Sequence, residues 1–253
     1  MTLYIIGLGL GTEKDISVKG LEIVRRCDRI YLENYTSVLQ CSVQDLEQFY
    51  GKKIILADRN ITELDTEKIV AEARKKNVAF LVVGDPFSAT THIELFKIAR
   101  QDGIPVEVIH NASILTAIGM TGLQLYKFGR VTSIPFLEDV PELEAPYQVL
   151  RENFYLGAHT LFLLDLKPEK NKFMSVNEAL KILAVIEARK KEGIITPRML
   201  VIGCARLGTE NYMIKAGPLV EISQHDFGPP PHGVVIPAKK LHFAEEEMVR
   251  GWR

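Results

Sequence analysis

The segment VAFLVVGDP (Val78–Pro86) constrains the fold more than any other part of the chain. Five consecutive apolar residues, Ala79 to Val83, leave no polar side for water, so a strand here is buried on both faces. Such a strand needs a covering layer on each side, and helices supply it when the neighbouring strands run parallel. Other short apolar runs, LYII (Leu3–Ile6), RIYLE (Arg29–Glu33), KIILA (Lys53–Ala57) and PVEVIH (Pro105–His110), alternate with segments of helical period. One helix starts near Ser17 and carries Leu21, Val24 and Cys27 on one face. A second is capped by Thr66 and turns Ile69, Val70 and Ala73 inward. A third carries Ile93, Phe96 and Ala99 and ends at Asp102-Gly103. The first half therefore reads as an α/β domain with a mainly parallel sheet.

The pattern changes after ASILTAIG (Ala112–Gly119), which reads as a short helix. Pro135, Pro141 and Pro146, with the acidic pair Glu138-Asp139, read as a loop between the halves. HTLFLLDL (His159–Leu166), MLVIGCAR (Met199–Arg206) and GVVIP (Gly233–Pro237) read as strands. Between the first two lies SVNEALKILAVIEARKKEG, with Ser175 as N-cap, Glu178 completing a capping box, and Gly193 as the stop. The expected division is an N-terminal α/β domain over 1–112 and a C-terminal α/β domain over 113–253.

Charge and cysteine content exclude several function classes. With 31 Lys and Arg against 32 Asp and Glu, the net charge is −1, so no global field draws in nucleic acid. Arg189-Lys190-Lys191 reads as a solvated helix end. Cys27, Cys41 and Cys204 are odd in number and lack CxxC spacing, so neither a disulfide framework nor a metal site is expected, and a reducing, cytoplasmic setting fits. No apolar stretch approaches the ~20 residues of a membrane helix, and no signal-peptide pattern opens the chain.

Three strand-end motifs bear on ligands. GLGLG (Gly7–Gly11) follows the first strand, where nucleotides often bind, and Glu33 sits where a dinucleotide fold places its ribose-binding acid. However, Thr12 occupies the third glycine position of G-x-G-x-x-G, and helix signals begin only near Ser17, so a pyrophosphate would lie away from a helix N-terminus. A NAD-dependent oxidoreductase remains an alternative. GDPF (Gly84–Phe87) ends the central strand at the edge where open α/β sheets collect ligands. HNAS (His110–Ser113) ends the next strand, with Asn111 or Ser113 expected to cap the helix that follows. His232 follows three prolines on a stiff backbone. No G-x-S-x-G or H-E-x-x-H nucleophile or metal motif occurs.

Taken in order, GLGLG, YLENYTS (Tyr31–Ser37), ADR (Ala57–Arg59), VVGDPFSATTH (Val82–His92), VIHNASI (Val108–Ile114), GLQLYKFG (Gly122–Gly129), HTLFLLDLK (His159–Lys167), GCARLG (Gly203–Gly208) and FGPPPH (Phe227–His232) span nearly the whole chain. The sequence resembles the diphthine synthases, S-adenosyl-L-methionine-dependent methyltransferases of the tetrapyrrole-methylase-like class. Ser88 departs from the glycine found in many relatives. The resemblance implies a mixed sheet in the C-terminal domain, the cofactor in an interdomain cleft, and a homodimer. It implies a protein substrate, elongation factor 2, whose 3-amino-3-carboxypropyl histidine is trimethylated to diphthine. Archaeal relatives add three methyl groups and eukaryotic ones also form a methyl ester; the short chain is closer to the archaeal type. Carried over by position, the cofactor contacts are Leu10, Asp85, Ser88, Ser113, Ile114, Leu164, Leu207 and His232. No direct nucleic-acid or membrane partner is implied.

Methyl transfer from a sulfonium is an in-line displacement that requires alignment and no protein nucleophile. No catalytic residue is assigned from the sequence. His110 and His232 are the motif histidines available as a base, and a structural role is expected for both. A tetrapyrrole substrate, or a non-enzymatic scaffold bound to elongation factor 2, are the remaining alternatives.

Overall fold

The computed structural model describes residues 1–35, 37–57, 66–89 and 92–253. Thr36, Asp58 and Arg59, and Thr90 and Thr91, which belong to the YLENYTS, ADR and VVGDPFSATTH motifs, lie outside the described residues. The chain divides into two compact units, Met1–Ala117 and Ile118–Arg253.

The first unit contains β1 (Leu3–Gly7), α1 (Val18–Arg26), β2 (Arg29–Glu33), α2 (Val43–Tyr50), β3 (Ile55–Ala57), α3 (Thr66–Ala73), β4 (Val78–Val82), α4 (Ile93–Gln101), β5 (Val106–Ile109) and α5 (Ile114–Ala117). Its five strands are ordered β3-β2-β4-β1-β5, and every pairing is parallel. Alternation along β1 and β4 distributes side chains to two cores. Tyr4, Ile6, Ala79 and Leu81 pack with Ile23 and Val24 of α1 and Leu46 and Tyr50 of α2. Leu3, Ile5, Val78, Phe80 and Val82 pack with Ile69 and Val70 of α3 and Leu95 and Ala99 of α4. The expectation drawn from the apolar run at Ala79–Val83 is met: β4 is fully buried.

Differences from the sequence reading are local. KIILA forms a strand only over Ile55–Ala57. Ile93 is exposed at the first turn of α4, and Leu95 takes its place in the core. α2 is absent from the sequence reading, although Ser42 and Asp45 form a full capping box at its start.

The second unit contains β6 (Thr132–Ile134), α6 (Ala145–Leu156), β7 (Thr160–Leu164), β8 (Leu166–Lys167), β9 (Lys172–Phe173), α7 (Val176–Lys190), β10 (Leu200–Ala205), β11 (Met213–Pro218), α8 (Leu219–Ile222), β12 (His232–Ile236) and α9 (Phe243–Arg250). Its main sheet has the order β11-β10-β12-β7-β6 and is mixed: β6 runs parallel to β7 and the other pairs are antiparallel. The Ser175–Glu178 capping box forms as the sequence predicts, but the left-handed residue closing α7 is Lys191, two before Gly193. The stretch read as a loop between the halves belongs to this unit and holds a twelve-residue helix, α6. Pro146 sits in its first turn, where the missing N–H costs nothing, so here the proline opens a helix.

Glu245 of α9 ties the C-terminal end of this unit to its interior. Its carboxylate accepts the Gln124 and His242 N–H groups at 3.0 and 2.8 Å, faces His159 Nε2 at 3.0 Å, and pairs with Lys127. His159 Nδ1 accepts the Ala238 N–H, so Nε2 carries the proton and donates to Glu245.

Candidate site at the strand ends

In the first unit the GLGLG loop folds back over the end of β4. Gly9 N–H donates to Gly84 O at 3.2 Å and Gly84 N–H to Gly9 O at 2.7 Å. Both glycines hold positive φ, 78° and 82°. A Cβ on Gly7 would lie 2.6 Å from Gly84 O and 2.9 Å from Asn111 Cβ, so the two strand ends approach as closely as they do only because Gly7 has no side chain.

The loop is unsuited to a pyrophosphate. Leu8, Gly9 and Gly11 spend their N–H groups on Val82 O, Gly84 O and Asp15 Oδ2. Thr12 caps a single 3-10 turn (Glu13–Asp15), and α1 starts only at Val18. Glu33, the acid a dinucleotide fold would place on a ribose, is buried; it accepts the Tyr35 N–H at 2.6 Å and faces His92 at 3.9 Å.

Gly84 is where the predicted residues of this unit meet. The space a Cβ would take there is bounded by Ala112 O at 3.8 Å, and by Leu10 Cδ2 and Ser113 Cα at 3.9 Å. Ser113 is buried and caps α5 through the Leu115 N–H, which places Ile114 beside it as the first helical residue. Asn111 does not cap this helix: its Nδ2 donates to Gly7 O and Asp15 O, both at 3.0 Å, and clamps the glycine loop to the end of β5. Spacing alone carries no signal for that clamp, because its partners lie about a hundred residues away.

Asp85 organises the turn. Oδ1 accepts the Phe87 N–H at 3.0 Å and the Ser88 hydroxyl at 3.1 Å. Oδ2 accepts the Asn111 N–H at 3.2 Å and lies 2.7 Å from His110 Nδ1. Burial pushes this carboxyl up, but the bonds from Phe87, His110, Asn111 and Ser88 outweigh it and hold it below the ordinary carboxylate range. With Asp85 ionised, His110 Nδ1 carries the proton and donates.

The predicted residues of the second unit gather at one end of its sheet. Ala205 pairs with His232, and Gly233 with Leu163. The C-terminal ends of β10 and β7 thus flank the start of β12 and bring Leu207, His232 and Leu164 to the same edge. Arg206, buried with φ 51°, donates from Nε to Asn211 O and from its guanidinium to Phe227 O and Pro229 O, which fastens the FGPPPH loop. His232 Nε2 donates to Gly228 O at 3.0 Å and Pro229 O at 3.1 Å, leaving Nδ1 as a buried lone pair with no hydrogen-bond partner among the described residues. Burial lowers the pKa of this imidazole, against the two carbonyls that raise it.

The first unit thus offers a leucine side chain, backbone groups and open space beside a glycine in left-handed conformation, and the second offers leucine side chains and one orphaned acceptor. Among the described residues there is no cluster of metal-ligating side chains, and no helix is long and apolar enough to cross a membrane. The three cysteines are free.

The family model Tetrapyrrole (Corrin/Porphyrin) Methylases matches residues 2–223. A mouse (Mus musculus) protein named diphthine methyl ester synthase is 47% identical over 98% of this chain and 95% of its own. The fission yeast (Schizosaccharomyces pombe) protein of the same name is 44% identical over 98% and 93%. A crystal structure of diphthine synthase superposes with a TM-score of 0.91 at 36% identity, covering 100% of this chain and 96% of that one.

Proposed function

The chain belongs to the tetrapyrrole (corrin/porphyrin) methylase family, and on that premise we propose that it methylates the modified histidine of elongation factor 2 in diphthamide biosynthesis, with S-adenosyl-L-methionine as donor. Full-length likeness to relatives named diphthine methyl ester synthase supports the substrate. The meeting of Leu10, Gly84 and Ser113 at one strand-end edge is the structural observation that carries the donor-binding reading.

The donor supplies an electrophilic methyl group on a sulfonium. The protein holds and orients it. Leu10, Ser88, Ser113 and Ile114 in the first unit, and Leu164 and Leu207 in the second, offer apolar contact and backbone hydrogen bonds. His232 Nδ1 offers an acceptor. Asp85, whose carboxylate is fully engaged by protein donors, keeps the turn in shape. Alignment of amine, methyl and sulfur is worth ~7–11 kcal/mol, and exclusion of water favours a step in which positive charge leaves sulfur.

The acceptor is the amino group of 3-amino-3-carboxypropyl histidine, methylated three times. The ester in the relatives' name adds a fourth transfer, to the carboxylate, and moves the reading away from the archaeal type that the short chain suggests. The enzyme works in the cytoplasm as a homodimer; the exposed Leu125, Tyr126, Tyr155 and Leu156 give such a dimer apolar surface to cover.

The test is incubation with radiolabelled methyl donor and either elongation factor 2 bearing the aminocarboxypropyl histidine or a tetrapyrrole. Label in the protein alone is expected. Thermal melts with S-adenosylhomocysteine and with NAD run in parallel, and only the former should raise the midpoint. Label in the tetrapyrrole, or stabilisation by NAD, would overturn the proposal.

A further inference from the structure

We propose that His110 is the base that deprotonates the substrate ammonium before each methyl transfer to nitrogen, with Asp85 orienting its ring. The inference rests on the proposed acceptor. A primary ammonium has no lone pair to attack with, and each of the first two transfers regenerates a protonated amine. Three protons must therefore leave on the way to a trimethylammonium. The carboxylate needs none removed to form an ester.

His110 has the geometry for this task. Its Nδ1 is fixed 2.7 Å from Asp85 Oδ2, in a carboxylate that also takes the Asn111, Phe87 and Ser88 donors, so the ring cannot turn without breaking that network. The Phe87 ring stands edge-on to it at 6.3 Å. Nε2 is left with its lone pair, on a side chain 66% exposed at the edge where Leu10, Gly84 and Ser113 meet. Two other acids are committed elsewhere: Asp15 holds the Gly11 N–H at 2.6 Å, and Glu107 of β5, the strand that ends just before His110, pairs with Lys19 at 2.6 Å. Among the described residues, Asp85 is the only charged group hydrogen-bonded or ion-paired to the ring.

The step balances. Nε2 takes a proton from the substrate ammonium, and the resulting imidazolium is stabilised by Asp85 through Nδ1–H. The freed nitrogen lone pair forms the N–C bond as the S–C bond breaks and its electron pair returns to sulfur. The exposed edge of His110 then passes the proton to water. General bases of this kind contribute about 10²–10⁴-fold.

Two measurements test the proposal. In ¹⁵N-resolved NMR of the protein without donor, His110 should be the Nδ1–H tautomer, and Asp85→Asn should abolish that preference. In methylation assays, His110→Ala and His110→Gln should bind S-adenosylhomocysteine within about twofold of wild type. At neutral pH they should N-methylate at least about 10²-fold more slowly. That rate should climb about tenfold per pH unit as the substrate amine deprotonates itself, and ester formation on an already trimethylated substrate should show no such climb. Parallel pH profiles for wild type and both variants, or equal losses of N- and O-methylation, would overturn the role. If wild type itself leaves elongation factor 2 unmethylated while the tautomer is as stated, the proposed function has failed and the base falls with it.

Discussion

Gly9 and Gly84 are joined by two backbone hydrogen bonds in an antiparallel bridge that lies just beyond two parallel strands, β1 and β4. The reversal needs positive φ at both residues, and it turns the GLGLG loop back across the sheet edge. Gly84→Ala adds a Cβ with nothing nearer than 3.8 Å, so its cost is conformational, about 1–2 kcal/mol. The methyl group occupies the space among Leu10, Ala112 and Ser113. A small drop in the denaturation midpoint with at least about a tenfold loss in S-adenosylhomocysteine affinity, roughly 1.4 kcal/mol, is expected. Unchanged affinity by calorimetry would mean this space does not receive the cofactor.

Gly7→Ala should act through stability first. Its Cβ would sit 2.6 Å from Gly84 O and 3.0 Å from Pro86 Cδ, and backbone has to yield. The expected cost is about 1–3 kcal/mol from overpacking, read in urea titration. A midpoint within error of wild type would show that β1 and the GDPF turn separate freely.

His232→Ala should weaken donor binding and retain measurable turnover, because the ring is held by Gly228 O and Pro229 O and offers only Nδ1. Calorimetry with S-adenosylhomocysteine and a single-turnover methylation assay separate the two effects. Complete loss of methylation at normal affinity would make His232 a base.

Glu245 predicts an acid-sensitive second unit. Burial pushes its carboxyl up, but Lys127, the His242 and Gln124 N–H groups and His159 bring it down to about 2. Its folded value lies below the unfolded 4.5, so the stabilisation is complete above that pH and drains as pH falls towards 2. The pKa of His159 is lowered by burial, against the Glu245 carboxylate that raises it, so its contribution also disappears on acidification. Glu245→Gln should cost roughly 3–5 kcal/mol at neutral pH, because Lys127 loses its buried partner, and should flatten the acid limb of a melting-temperature profile. Parallel profiles for variant and wild type would contradict this account.

Much of the architecture is present in local pattern. The apolar run at Ala79–Val83 announces a doubly covered strand, and Ser175 with Glu178 announces the start of α7, because burial on both faces and end-capping depend on residues a few positions apart. Thr12 and the late helix start near Ser17 argue against a dinucleotide loop, and the N–H groups spent on Val82, Gly84 and Asp15 add a further reason. The resemblance also picks out Leu10, Asp85, Ser113 and His232 as residues of interest. Long-range pairing decides what those residues do. Asn111 clamps Gly7 from 104 positions away, Arg206 reaches Phe227 and Pro229, and His110 acquires its direction from a carboxylate 25 residues earlier. The bonds of Asn111 and His110 form only when the parallel sheet sets β4 and β5 on either side of β1, and those of Arg206 only when β10 pairs with β12 in the second sheet, so the roles of these side chains belong to the tertiary structure.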